Sequence, residues 1–297
     1  MLNFKKNKFF KIKSFINRME DGGIRKIDKE QLIKMIRPTI GIKTKSSEDK
    51  RIEIGKSKIG GQPDLPENFD WPRVNEKPML FCAQYNLSEL NNFDKENILP
   101  KKGLFYIFLS LDDKWKEFNG VNQAFKFIFS DSENLIRTTF PSDQEESARF
   151  KSALIEYFEF YTVPHYENYK LFKLHEKYED LNDALDSIIL YIDKVCESKE
   201  DRYHQILGED RSMQSSAVYD FAAKNLDIFG ADSSKYQRKW SEILELSKNY
   251  QILLQLDCYD PNSDLSKFGG SGKYYFGITE NDIKKQNFNN VKMTFQL

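Results

Sequence analysis

Two stretches decide the fold of this chain: MLFCAQYN at 79–86 and QILLQLDC at 251–258. Each is an apolar run closing on a glutamine, Gln84 or Gln255, with Asn86 or Asp257 two residues later. A glycine-led aromatic run follows each, GLFYIF from Gly103 and GKYYFG from Gly272. FNGV (118–121) and FNNV (288–291) come next, leading into the apolar strands KFIFS and KMTFQ. Similar elements in fixed order over about fifty residues each time predict a duplicated strand unit.

Outward from these stretches, the intervening 144–248 reads as mostly helical. Phe150, Leu154, Tyr157, Phe158 and Tyr161 recur three or four apart, which predicts a helix over 145–161 ended by Pro164. Residues 168–195 read as two helices broken near Asp180, with further helices over 218–226 and 236–246. Strands, then helices, then strands favour an α+β fold over a doubly wound parallel sheet. The expected architecture is a largely antiparallel sheet built from two similar strand units, about 79–130 and 250–297, with the helical insert between them. Residues 57–297 form that domain, and 1–56 are a helical and extended segment packing on it.

Within 1–56, residues 1–20 carry six basic side chains against the single acid Glu20. Two readings stand: a membrane-surface or anionic-partner helix, or a solvated helix packing Phe4, Ile12, Phe15 and Ile16 onto the domain. Asp28 reads as the N-cap of a second helix that stops near Pro38. TIGIKTK from Thr39 and the alternating Arg51–Ile54 read as extended. The loop 60–72, GGQPDLPENFDWP, follows, anchored to the core by Phe69 and Trp71.

A net charge of −1 argues against a dedicated nucleic-acid binder, which should show a strong basic excess. Three dispersed cysteines, Cys82, Cys196 and Cys258, predict reduced thiols rather than a disulfide framework. No apolar run approaches a membrane span, and MLNFKKNKFFKIKSF lacks the continuous apolar core of a signal peptide. The expected location is cytoplasmic. No cofactor is expected. No metal site is expected either, because His165, His175 and His204 have no ligand spacing.

Gly55-Lys56-Ser57 fails as a phosphate loop, because Lys50 stands where the first glycine belongs. The glycines of 269–272 precede a strand-like run, so a tight turn fits better than a phosphate cradle. His204 lies in RYHQILGEDRSMQSS among Gln205, carboxylates, Arg211 and Gln214. That loop is either an acid–base site or a polar loop whose imidazole is satisfied by backbone. Gln84 and Gln255 end runs that must be buried, and a buried amide demands partners. They either brace neighbouring backbone or face one shared ligand pocket.

SKIGGQPDLPENFDWP, the following P-x-L-F-x-A-Q-Y-N-L, HQILG and the closing LLQLD…GGSGKYYFGITENDIKKQNFNNV resemble the YwqG-like family of bacterial domains of unknown function. The resemblance covers about 57–297. It implies a soluble intracellular α+β protein with an antiparallel sheet, and it supplies no activity. Its pattern falls on Gly60, Gly61, Pro63, Pro66, Trp71, Pro72 and Gln84, then on His204, Gln205, Gly208, Gln214, Gln255, Asp257 and Gly272. Where the resemblance implies an aspartate before the last glycine strand, this chain has Gly270. The leading expectation is a non-enzymatic binding protein, of immunity or regulatory type, with a protein partner. The alternative is a hydrolase or small-molecule enzyme with a site near His204 and the 60–72 loop. Candidate binding residues are Gly60, Gly61, Pro63, Asp64, Trp71, Gln84, His204, Gln205, Gln214, Gln255 and Asp257, with His204 the one catalytic candidate.

Overall fold

The computed structural model describes residues 7–20, 23–110, 125–198, 204–230 and 232–297; the FNGV stretch, 118–121, and Phe4 lie outside them. In chain order the strands are β1 (Arg37–Ser46), β2 (Lys58–Ile59), β3 (Asp64–Pro66), β4 (Arg73–Val74), β5 (Lys77–Pro78), β6 (Leu80–Asn86) and β7 (Leu104–Leu109). They continue with β8 (Phe125–Ser130), β9 (Leu135–Arg137), β10 (Ala153–Thr162), β11 (His204–Ile206), β12 (Tyr250–Asp257), β13 (Lys273–Thr279) and β14 (Lys292–Gln296). The helices are α1 (Lys8–Arg18), α2 (Lys26–Met35), α3 (Leu87–Leu90), α4 (Phe172–His175) and α5 (Leu181–Cys196). After them come α6 (Ala217–Asn225), α7 (Ser233–Arg238), α8 (Trp240–Ser247), α9 (Ser266–Gly269) and α10 (Glu280–Lys284).

Ten strands form one antiparallel sheet in the order β14-β13-β12-β11-β1-β10-β2-β6-β7-β8. From either edge the order runs through a three-strand meander and a short strand to the long β1–β10 pair at the centre. The sheet curls nearly into a barrel. Phe125 and Phe127 of β8 meet Phe276 of β13 at ring distances of 5.7 and 6.0 Å, and Phe105 meets Phe288 at 4.6 Å. Both meanders thus share one interior with Ile40, Ile59, Ile155 and Leu254.

Three coverings bury the outer face. α1, α2 and α5 lay Ile12, Ile16, Leu32, Leu185 and Ile188 over Phe160 of β10. The 60–78 segment packs Leu65 and Trp71 over Phe81 and Phe108. Trp71 fixes that loop by donating its indole N–H to the Met79 carbonyl at 2.8 Å. α6 packs Ala217 and Phe221 over Ile252 and Tyr275.

Three local expectations are corrected. The stretch expected as a helix over 145–161 is a 3-10 turn at Glu146–Ala148 followed, from Ala153, by the strand β10. It carries apolar side chains on both faces, Ile155 and Tyr157 inward and Phe158 and Phe160 under the helices, so its two-residue period is masked. Residues 51–54 are not a strand: a 3-10 turn spans Asp49–Arg51, and the Arg137 guanidinium takes the carbonyl oxygens of Asp49 and Ile52. Asp28 is not a cap: Arg25 holds the N-cap position of α2, and Asp28 sits buried in the first turn. There Tyr178 and Lys177 hydrogen-bond its carboxylate and hold it down at about 2. Among the described residues, no helix is long and apolar enough to cross a membrane.

Candidate functional site

At the end of β2 the chain turns through Gly60 and Gly61, both left-handed with φ of +65° and +72°. Gly60 donates its N–H to the Cys82 carbonyl at 2.8 Å, and Cys82 is the extra residue where β6 slips register against β7. The turn delivers Asp64, whose amide N–H is accepted by Gln84 Oε1 at 2.8 Å. Tyr106 donates its hydroxyl to the Asp64 carbonyl at 2.7 Å. The Asp64 carboxylate is fully buried and accepts from Gly55 N, Gln84 Nε2 and Arg137 Nε. Lys58, equally buried, lies 3.8 Å from it and donates to Asp49 at 2.9 Å. Buried charges persist only when paired and hydrogen-bonded, and here every one is.

A matching set of contacts lies along β11 and β12. The turn after Ile206 runs through Leu207 and Gly208 at φ of +60° and +85°. Leu207 donates its N–H to the Leu253 carbonyl at 3.2 Å, and Leu253 is the extra residue where β12 slips against β13. Gln255 Oε1 accepts the Arg211 amide at 3.1 Å, and Tyr275 donates its hydroxyl to the Arg211 carbonyl at 3.2 Å. Ser57 Oγ accepts the Asn86 amide at 2.8 Å, while His204 Nδ1 accepts the Asp257 amide at 3.1 Å. The two turns carry opposite charge at corresponding positions. Asp64 takes its counter-ion Arg137 from across the β3–β9 ribbon. Arg211 takes Asp193 from α5 in a two-pronged pair at 3.0 and 3.3 Å, above the ring of Phe160.

Asp64 is sealed, whereas Arg211 forms the wall of a cleft of about 660 Å³. α5 supplies Asp186, Ile189, Leu190 and Asp193, and the strand ends supply Tyr161, Asp257 and Lys273. Three of its lining side chains are large, apolar and exposed: Leu190 at 67%, Met213 at 43% and Tyr259 at 54%. An apolar rim around fixed polar groups is how ligand seats are built. The Asp210 carboxylate at its floor is committed elsewhere, accepting from Ser212, Ser216 and the Ala217 amide at the start of α6. A second cleft of about 800 Å³, lined by Ser47, Asp49, Arg51, Gln62 and Lys151, includes none of the exposed large apolar side chains of the described residues.

The sequence candidates divide between the two turns. Gly60, Gly61, Pro63, Asp64, Trp71 and Gln84 gather at the first, and His204, Gln205, Gln255 and Asp257 at the second. Gln84 and Gln255 brace turn backbone. Gln205 Nε2 donates to the carbonyls of Leu207 and Glu209, and Gln214 to that of Leu297. Of the candidates, only Asp257 lines the 660 Å³ cleft.

His204 is buried, and neither large cleft includes it. Its Nδ1 accepts the Asp257 backbone N–H at 3.1 Å, and its Nε2 faces Asp260 Oδ2 at 3.5 Å. Burial pushes the Asp260 carboxyl up, but the His204 ring and the Thr44 and Ser263 hydroxyls outweigh it and hold it at about 2. The Cys82 and Cys196 thiols are pushed up to about 12 by burial, far from a reactive thiolate. In the sequence Leu190, Met213 and Tyr259 carry no motif, and Arg211 stands out only as a neighbour of His204. A helix exposing Leu190 between Asp186 and Asp193 was the available signal. Among the described residues, no three His, Cys, Asp or Glu side chains converge as a metal site requires.

These features define a mixed α and β protein whose antiparallel sheet is curled nearly into a barrel. Within that class the chain belongs to a family described as a domain of unknown function (DUF1963), whose model matches residues 57–296. Comparison with curated proteins returned no match.

Proposed function

We propose that this is a binding protein of regulatory or immunity type, which seats a segment of a protein partner in the cleft walled by Arg211, Leu190 and Met213. The observation that carries the reading is the exposed apolar rim beside the already paired Arg211–Asp193 wall. Fixed, paired groups suit recognition. Catalysis asks for a group with a free lone pair near its operating pH. The His204 imidazole spends one nitrogen on backbone and turns the other to Asp260, and the three thiols are buried. Those free thiols support a reducing compartment, the cytoplasm.

The reading includes a duplication: two copies of one strand unit, with most of the helical mass falling between and within them. The paired turns, paired register slips and paired glutamine and tyrosine hydrogen bonds support it. On those contacts the units begin at Ser57 and His204, earlier than the repeated strings suggest. One copy then keeps a sealed ion pair, and the other turns the matching position toward a partner.

The test is selection of peptides from a random displayed library on the full chain, followed by binding to a Leu190→Asp, Met213→Asp double variant. Both side chains are exposed, so the variant should keep its fold. Selected peptides should bind it at least about tenfold more weakly, the equivalent of about 1.4 kcal/mol. Peptides that bind both proteins equally would sink the proposed seat.

A further inference from the structure

Resting on that reading, the geometry points to the chemistry of the partner: we infer that the cleft takes a segment presenting a Lys or Arg side chain between large apolar ones. The charges of the lining decide this. Asp186, Asp193, Asp210 and Asp257 face two cations, Arg211 and Lys273. Asp193 is matched by Arg211, and Asp257 lies 3.9 Å from Lys273. Asp210 is buried under three internal donors. Asp186 is different. It is exposed on the wall of the cleft, and its side-chain partner is the Tyr166 hydroxyl, a neutral donor. Among the described residues no Lys or Arg pairs with it.

Asp186 also stands where a cation would be held best. Leu190 is one helical turn on, so both side chains project from the same face of α5. Ile189 and Tyr166 complete the wall. A bound basic side chain would lay its methylenes along Leu190 and Ile189 and bring its head to the carboxylate, as long cationic side chains do on amphipathic surfaces. The neighbouring Tyr166 ring adds a face that attracts cations. Met213 and Tyr259 would take the flanking apolar residues, methionine being able to repack around different shapes. An acidic segment would meet an unmatched carboxylate instead, a like-charge contact that works against the wrong partner.

The experiment uses the same library selection on the full chain, with Asp186→Lys as a second variant. Asp186 is exposed and makes one side-chain hydrogen bond, so the variant should unfold at a temperature close to wild type. Winning peptides should carry Lys or Arg next to Leu, Phe or Trp. Synthesised winners should bind Asp186→Lys at least about tenfold more weakly, and wild type several-fold more weakly as salt rises and screens the contact. Winners without basic residues, lost on Leu190→Asp, Met213→Asp but not on Asp186→Lys, would overturn the charge assignment and leave the seat standing. Winners indifferent to both variants, or a library that yields none, would overturn both.

Discussion

Gly208 follows Leu207 into the left-handed region, and a β-carbon on it would stand 2.0 Å from Thr39 Oγ1 and 2.6 Å from Thr162 Oγ1. Those two hydroxyls hydrogen-bond each other across β1 and β10 at 2.8 Å, so neither moves cheaply. Gly208→Ala should therefore cost about 2–4 kcal/mol, read as a lower denaturation midpoint at unchanged slope. A cost under about 0.5 kcal/mol would mean the turn is looser than described. Asp260 supports a second expectation. Its folded carboxyl, at about 2, lies below the ordinary value near 4, so the native state holds fewer protons than the unfolded chain in that interval. The stabilisation is complete above about pH 4 and is lost as pH falls toward about 2. Asp260→Asn should flatten that part of the stability curve, while Asp28, held equally low, and the other lowered carboxylates, Asp143, Asp232, Asp264, Asp282 and Glu280, keep the rest of it. A variant curve parallel to wild type between pH 4 and 2 would contradict the assignment. At this scale the sequence was half legible. Gln84 and Gln255 stood out because an amide closing an apolar run must find partners. Their partners Asp64 and Arg211 could not be paired with Arg137 and Asp193, because those ions come from β9 and α5 and only the folded chain brings them together.

Strand β10 shows why elements are harder to read than residues. ALIEYFEFYT buries apolar groups on both faces, since the interior lies on one side and α1 and α5 on the other. A strand buried twice loses its alternation, and the leftover spacing imitates a helix. β1 carries the larger consequence. It pairs with β10 over ten residues and with β11 on its other edge, so it holds the centre of the sheet. The family match begins at residue 57, beyond β1. A chain starting at residue 57 would leave β10 and β11 with open edges and unpaired backbone groups, a condition that favours aggregation. Such a chain should show no cooperative unfolding transition by circular dichroism. Adding a 1–56 peptide should restore part of it, by strand addition. A 57–297 chain with a wild-type midpoint would contradict the central role of β1. α1 bears on the same scale: Ile12 and Ile16 are buried against α5, and Phe15 stacks on Tyr191 at 4.2 Å.

Over the whole molecule, the sheet order brings both meanders to one shared interior and sends the two turns to different surroundings. The first turn is closed by the β3–β9 ribbon, and the second opens between α5 and the strand ends. The repeated strings raise the expectation of two like units. The position of the 660 Å³ cleft is not written in the strings, because it depends on which covering each turn receives. In the proposed function, recognition belongs to the second turn. Methyl-labelled protein titrated with a selected peptide tests it most directly. Shifts are expected at Ile189, Leu190, Ile192 and Met213, with Leu65, Met79 and Ile136 around the first turn unchanged. Shifts centred on Leu65, Met79 and Ile136, with the α5 and Met213 methyls still, would contradict it.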